Sequence, residues 1–221
     1  MEQSAEAEDM KKVDLTQLLD GKWEDGTRPK DLFSLYVSKD PSSYVDVMVK
    51  GLQSDRRRVQ SGCAELASIL SESHPKLLYP HIRLFQINLD AKEPVLRWEA
   101  VCTLGNLVFV DKKEQIRGNV ERIMSFLDDK SIVLQVHSVR ALTKVAQAFP
   151  DTAQRIFRRL LDSTDSFPGN RIGFIVEAME VFAKHEALVP EIRSFVEAHA
   201  RSEIRSVATK ARKVLKKIPE S

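Results

Sequence analysis

From Ser54 onward, apolar positions recur at intervals of three and four, the spacing of one buried face of an α-helix. The segments "SDRRRVQSGCAELASIL", "KEPVLRWEAVCTLGNLV" and "KSIVLQVHSVRALTKVA" begin at Ser54, Lys92 and Lys130, a shift of 38 residues each time. Gly62, Ala100 and Ser138 then coincide, all small, and Cys63, Val101 and Val139 coincide, all apolar and of medium size. Leu66, Leu104 and Leu142 form a third column, and Ala67, Gly105 and Thr143 a fourth. "NRIGFIVEAMEVFAK" continues the pattern at a shift of 37, with Val176 on Val139 and Met179 on Leu142. A further shift of 31 puts Val207 on Val176.

A second set of helices lies between these: "HPKLLYPHIRLFQINL", "KEQIRGNVERIMSFL", "DTAQRIFRRLL" and "EALVPEIRSFVEAHA". Phe85, Ile123, Phe157 and Ile192 share a register in them, as do Leu89, Leu127, Leu161 and Val196. Breaks are expected at Pro75, "LDAKEP", "DDKS", Pro150-Asp151 and "DSFPGN", with Asp151 as an N-cap. One hairpin cannot bury its apolar face alone, so stacking is required. The pattern predicts an all-α chain of about four to five stacked hairpins. "PSSYVDVMVKGLQ" reads as the second helix of an incomplete first repeat, with "DLFSLYVSKD" as its first. The last helix, from about Ser202 to Ile218, buries Ile204, Val207, Ala208, Ala211, Leu215 and Ile218 and shows cations on its other side, as a terminal repeat should. Residues 41–221 are therefore expected to form the repeat domain, and residues 1–40 a partly ordered acidic arm. "LLDGKWEDGTRP" reads as loop, with Trp23 packing back on its own domain.

From roughly Pro41 to Ile218 the chain resembles the HEAT-repeat family. The likeness rests on the two-helix unit of about 40 residues and on Val139-Arg140-Ala141-Leu142, one residue tighter than the family's pattern. The resemblance implies a right-handed α-α superhelix, and a scaffold or adaptor more often than an enzyme. It also implies that second helices line a concave surface.

Composition agrees with a helical chain: 43% hydrophobic, 30% charged, eight Gly and nine Pro. No stretch approaches the roughly 20 apolar residues of a membrane helix, and "MEQSAEAEDMKK" lacks the apolar centre of a secretory signal. Cys63 and Cys102 fall inside helical patterns, as reduced thiols would, so a cytoplasmic location is expected. The net charge of +2 hides an asymmetry. Residues 1–50 carry seven Lys/Arg against eleven Asp/Glu, and residues 201–221 carry seven against two. Such polarity suits two different partners or self-stacking.

No motif for chemistry emerges. The five histidines form no metal-ligand pattern, and no phosphate loop or nucleophile elbow is present, so no cofactor, metal or catalytic residue is assigned. His74 and His81 read as surface turns, His137 as a structural histidine and Cys63 as core. Trp98, followed by Glu99, lies on an apolar stripe where core is the default. The basic residues are the remaining lead. Arg158 and Arg193 share a second-helix column with Gln86 and Met124, flanked by Arg155 and Arg159. Arg56, Arg57 and Arg58 open a first helix against its macrodipole, which hints at an acidic partner. Lys210, Arg212, Lys213, Lys216 and Lys217 cover the last helix. The expected function is a non-catalytic module binding a protein partner through these cations, with no membrane role. The alternative is a nucleic-acid-binding HEAT-like protein related to alkylpurine DNA glycosylases. A third reading is a regulatory subunit of an enzyme, docking through Trp23 or the acidic arm.

Overall fold

The computed structural model describes residues 13–219. Among them every regular element is helical and no strand occurs. The chain divides into two compact units between Leu66 and Ala67.

The first unit holds α1 (Leu15–Asp20), α2 (Pro29–Leu32), α3 (Pro41–Gly51) and the start of α4 (Arg57–Ser73). The part of the expected arm before Val13 lies outside the described residues. The sequence reading missed α1. Its signal was local: Asp14 accepts the backbone N–H groups of Thr16 at 2.9 Å and Gln17 at 3.2 Å, a side-chain N-cap. Pro29 and Pro41 open α2 and α3, where a missing N–H leaves no bond unmade. Leu15, Leu19, Leu32, Val37 and Met48 are fully buried and form the unit's core. The small residue of the first column has a geometric cause, because a Cβ on Gly62 would lie 2.5 Å from a Leu19 methyl. Trp23 does pack back, donating its indole N–H to the Leu19 carbonyl at 2.9 Å.

The second unit continues with α5 (Pro75–Leu78), α6 (Ile82–Asn88), α7 (Pro94–Leu107), α8 (Val120–Ser125), α9 (Ile132–Ala148), α10 (Ala153–Asp162), α11 (Ile172–Phe182), α12 (Val189–Ala200) and α13 (Arg205–Leu215). The long helices form a row: α7 packs on α9, α9 on α11 and α11 on α13. The second helices flank that row, α6 against α7, α8 against α9, α10 against α9 and α11, and α12 against α11 and α13. This is a helical-repeat solenoid. A 3-10 turn precedes each second helix, at Tyr79–His81, Arg117–Asn119, Pro150–Thr152 and Glu186–Leu188, a feature that the apolar periodicity did not disclose.

The repeat columns become layers of core. Phe85, Ile123, Phe157 and Ile192 are all buried, as are Leu104 and Leu142. One column slips: in α10 Leu160 is fully buried while Leu161 is partly exposed, so the buried stripe takes the earlier of two adjacent leucines. Asp151 is not an N-cap; α10 starts after Thr152 without a side-chain cap, and Asp151 pairs with Arg117 instead. Buried Asp111 is fully used, accepting from the Tyr79 hydroxyl at 2.7 Å and from the N–H groups of Gln115 at 3.0 Å and Ile116 at 2.7 Å. Satisfied in this way, a buried carboxylate fixes the turn after α7 rather than weakening it.

Gly105 of α7 lies against Ala141 of α9, and a Cβ there would lie 2.9 Å from both Cα and Cβ of Ala141. Backbone cannot retreat as a side chain can. Gly105→Val is therefore expected to lower unfolding stability by about 1–3 kcal/mol, the usual overpacking range. Gly118→Ala, with open space around its position, serves as the control in a urea titration.

Candidate interaction surface

The cations expected to meet a partner are occupied within the chain. Arg155 bridges to Glu121 at 2.6 Å, Arg158 pairs with Glu191, and Arg159 pairs with Asp128. Arg193 donates to the carbonyls of Pro219 at 2.6 Å and Ile218 at 3.4 Å, with Glu197 at 3.8 Å. In the same column Gln86 donates to the Gln115 carbonyl, and Met124 is buried. Most of these bridges join one repeat to the next, as do Arg122 with Asp90 at 2.8 Å and Lys210 with Glu177 at 2.9 Å. Exposed pairs of this kind each contribute roughly 0–1 kcal/mol, so their main effect is to neutralise the face. The second-helix surface carries an open hollow of about 580 Å³, lined by Glu121, Asp151, Arg155, Arg158, Arg159 and Asp162 among others, and its charge is mixed.

The arginine run has an internal explanation. Arg56 bridges to Asp20 at 2.8 Å, and Arg58 donates to the Gly21 carbonyl at 2.8 Å. The two tie the end of α1 to the start of α4, where the local dipole cost is offset by a carboxylate and a free carbonyl. Arg57 is exposed and also has a partner. On α13 and the residues just after it, Lys210 and Lys217 turn back to Glu177 and Glu180 of α11, whereas Arg212, Lys213 and Lys216 are exposed and have no ion pair among the described residues.

The long-helix surface holds a polar cluster the sequence did not announce. A cavity of about 130 Å³ is lined by Ser68, Glu72, Glu99, Cys102, His137, Arg140 and Lys144, together with Gly105, Asn106 and Ala141. The close Gly105–Ala141 approach brings α7 against α9 and sets the Cys102 sulfur 2.9 Å from His137 Nδ1. His137 is thus satisfied, as expected, but by a cysteine. Trp98 is half-buried rather than core, and donates to Glu99 at 3.0 Å. The column arithmetic could have aligned Cys102 with Arg140, both two residues before a column leucine, but the side chains that converge come from different positions of three helices.

Burial governs the electrostatics here. It pushes the Cys102 thiol up to about 12, with Glu99 adding to the effect, and burial alone pushes Cys63 up to about 12. The His137 pKa is lowered by burial first and then by Arg140 and Lys144. The contact is therefore between two neutral groups, and neither thiol supplies the thiolate that nucleophilic attack requires. Glu99 is raised by desolvation and by Glu72, against hydrogen bonds from Ser68 and Trp98. Among the described residues, no group of three or more His, Cys, Asp or Glu is placed to hold a metal ion. No described helix is long and apolar enough to cross a membrane.

No protein-family model matches the chain, and no curated protein matches it in sequence. Solved structures do resemble it. A designed armadillo repeat protein superposes with a TM-score of 0.64 at 15% identity, covering 93% of this chain and 98% of that one. Computationally designed armadillo repeat proteins for modular peptide recognition give 0.63 at 15% identity, covering 93% and 90%. A designed armadillo repeat protein in complex with the peptide (KR)4 gives 0.56 at 15% identity, covering 91% and 90%. At such identities the likeness establishes the fold: a helical-repeat solenoid.

Two outcomes follow from the buried cluster. Native protein at pH 7.5 is expected to resist iodoacetamide at both cysteines, with rapid labelling once denatured; intact mass spectrometry reads this directly. The folded pKa of Glu99 lies above its unfolded value, so its contribution is present at low pH and lost as pH rises through the raised value. Glu99→Gln removes that loss, and the variant is expected to gain stability relative to wild type as pH rises above the ordinary carboxylate value of about 4, measured by thermal melts across pH.

Proposed function

We propose that this chain is a non-catalytic interaction module that holds a protein segment across successive repeats. The observation carrying this reading is a set of open hollows along the stacked helices, three of them lined by side chains of both charges. A segment bearing both signs suits such a surface, because isolated like charges would leave half the lining unmatched. The likeness to designed proteins described as built for peptide recognition, one of them bound to (KR)4, supports a protein partner. Within the repeat proteins we assign the unit to the HEAT type, from its small-residue and leucine columns. Residues 41–221 are taken as the repeat domain, residues 1–40 as an arm, and the cytoplasm as the compartment. Arg155, Arg158, Arg159 and Arg193, with Arg56, Arg57 and Arg58, are the basic contacts of this reading; their pairing means that a partner must exchange bridges rather than meet bare charge.

The nucleic-acid reading is favoured by one feature, Arg212, Lys213 and Lys216 at the end of the chain's last helix, which are exposed and have no ion pair among the described residues. Salt separates the two. Phosphate-driven binding loses about 10³–10⁵ in affinity between about 50 and 200 mM salt when several phosphates are contacted. A random-heptamer display selection against the chain is expected to enrich a common sequence, and Arg158→Glu with Arg193→Glu to weaken it while circular dichroism stays unchanged. Duplex and single-stranded DNA are expected to show no gel retardation at low salt. Retardation with a steep salt slope, and no enriched peptide, would replace the protein-segment reading by the nucleic-acid one.

A further inference from the structure

We propose that Arg140 and Lys144 on α9 form the seat for a carboxylate side chain of an extended protein segment laid across the long helices. The inference rests on the protein-segment reading and adds to its second-helix contacts a second stretch of surface, on the long helices, with its own charge pattern. On the second helices Arg155, Arg158 and Arg159 are each paired with a carboxylate of the chain. Arg140 and Lys144 are held differently. The Arg140 guanidinium lies 5.5 Å from the centre of the Phe174 ring, which positions a cation without cancelling its charge. Lys144 Nζ donates to the amide oxygen of Asn106. That amide is itself oriented, since its Nδ2 donates to Ser71 Oγ at 2.7 Å and Ser71 Oγ donates to the Ser68 carbonyl at 2.6 Å. Among the described residues neither cation has a carboxylate partner. The two stand one helical turn apart on one face, so both reach a single anionic group.

Both also line two adjoining hollows. One is the cavity of about 130 Å³ shared with Glu72 and Glu99; the other, of about 310 Å³, is shared with Phe174 and Glu177. Charge therefore alternates along the row: Glu72 and Glu99, then Arg140 and Lys144, then Glu177, already bridged to Lys210. His137, one turn before Arg140, has its pKa lowered by burial and then by these two cations, which keeps it neutral beside them. This alternation decides the occupant. A polyanion would meet Glu72, Glu99 and Glu177 on either side of its seat, whereas a lone carboxylate flanked by cations meets opposite charge throughout. Neighbouring helices lie about 8–10 Å apart and an extended chain rises about 3.3 Å per residue, so successive repeats face residues roughly three positions apart. The fitting segment carries an acidic residue with a basic residue about three positions to each side.

The test is an amide NMR titration of the full chain with two capped heptapeptides, Lys-Ala-Ala-Glu-Ala-Ala-Lys and its charge-reversed partner. The first is expected to move amides of α7, α9 and α11, and to bind at least about tenfold more weakly to Arg140→Gln/Lys144→Gln, one lost charge-assisted contact being enough for that change. The Arg140→Glu/Lys144→Glu chain is expected to prefer the reversed peptide, a switch that mere loss of fold cannot produce. Shifts confined to α8, α10 and α12 overturn the seat and leave the protein-segment reading standing. Equal response to both peptides, stronger response to duplex DNA, or no response at millimolar peptide also overturns the seat. The display selection, which assumes no charge pattern, then decides the broader reading independently.

Discussion

Close approach of neighbouring long helices is the constraint on which the repeat unit depends. Dispersion and apolar burial reward contact only within a few tenths of an ångström, so the spacing is set by the bulkiest group at the crossing. At the α7–α9 crossing that group is hydrogen on Gly105, and Ala141 fills the space a Cβ would need. With the backbones that near, Leu104, Leu142 and Val139 keep almost no exposed surface. Because each repeat touches only its neighbours, stability is a sum of such interfaces rather than the property of one central core.

Charge plays two separate parts on this scaffold. On the second helices, cations and carboxylates about one repeat apart in sequence face each other, and the bridges of Arg155, Arg158 and Arg159 align neighbouring repeats while cancelling the field outside. On the long helices, Arg140 and Lys144 are positioned by an aromatic face and an amide, and so keep their field. The difference is invisible to net charge. A surface rich in arginine can be electrostatically quiet, and a sparse one can carry the attractive site.

The same packing that fixes the repeats buries a set of polar side chains at their seam. Cys102 and His137 are neighbours because their helices are pressed together, and desolvation holds both neutral. A cysteine beside a histidine would suggest nucleophilic chemistry if only the pair were considered. The surroundings decide otherwise, since a buried thiol near Glu99 is harder, not easier, to ionise.

The residues alone determined the helical class, the repeat length and the core columns, because burial on one helical face leaves a periodic trace in the order of side chains. Gly62, Leu104, Phe85 and Ile123 were legible for that reason. Helix α1 escaped, being a short element whose evidence is a single capping Asp14, and Leu160 displaced Leu161 because a rotation of one residue is too small to alter the pattern. The electrostatic character of each cation was decided only in three dimensions. Arg158 and Arg140 are the same residue type in similar helical contexts, but one meets Glu191 and the other meets Phe174. Whether a charge is cancelled depends on partners 33 and 34 residues away, and one-dimensional spacing carries no information about which side chain a neighbouring repeat turns toward it.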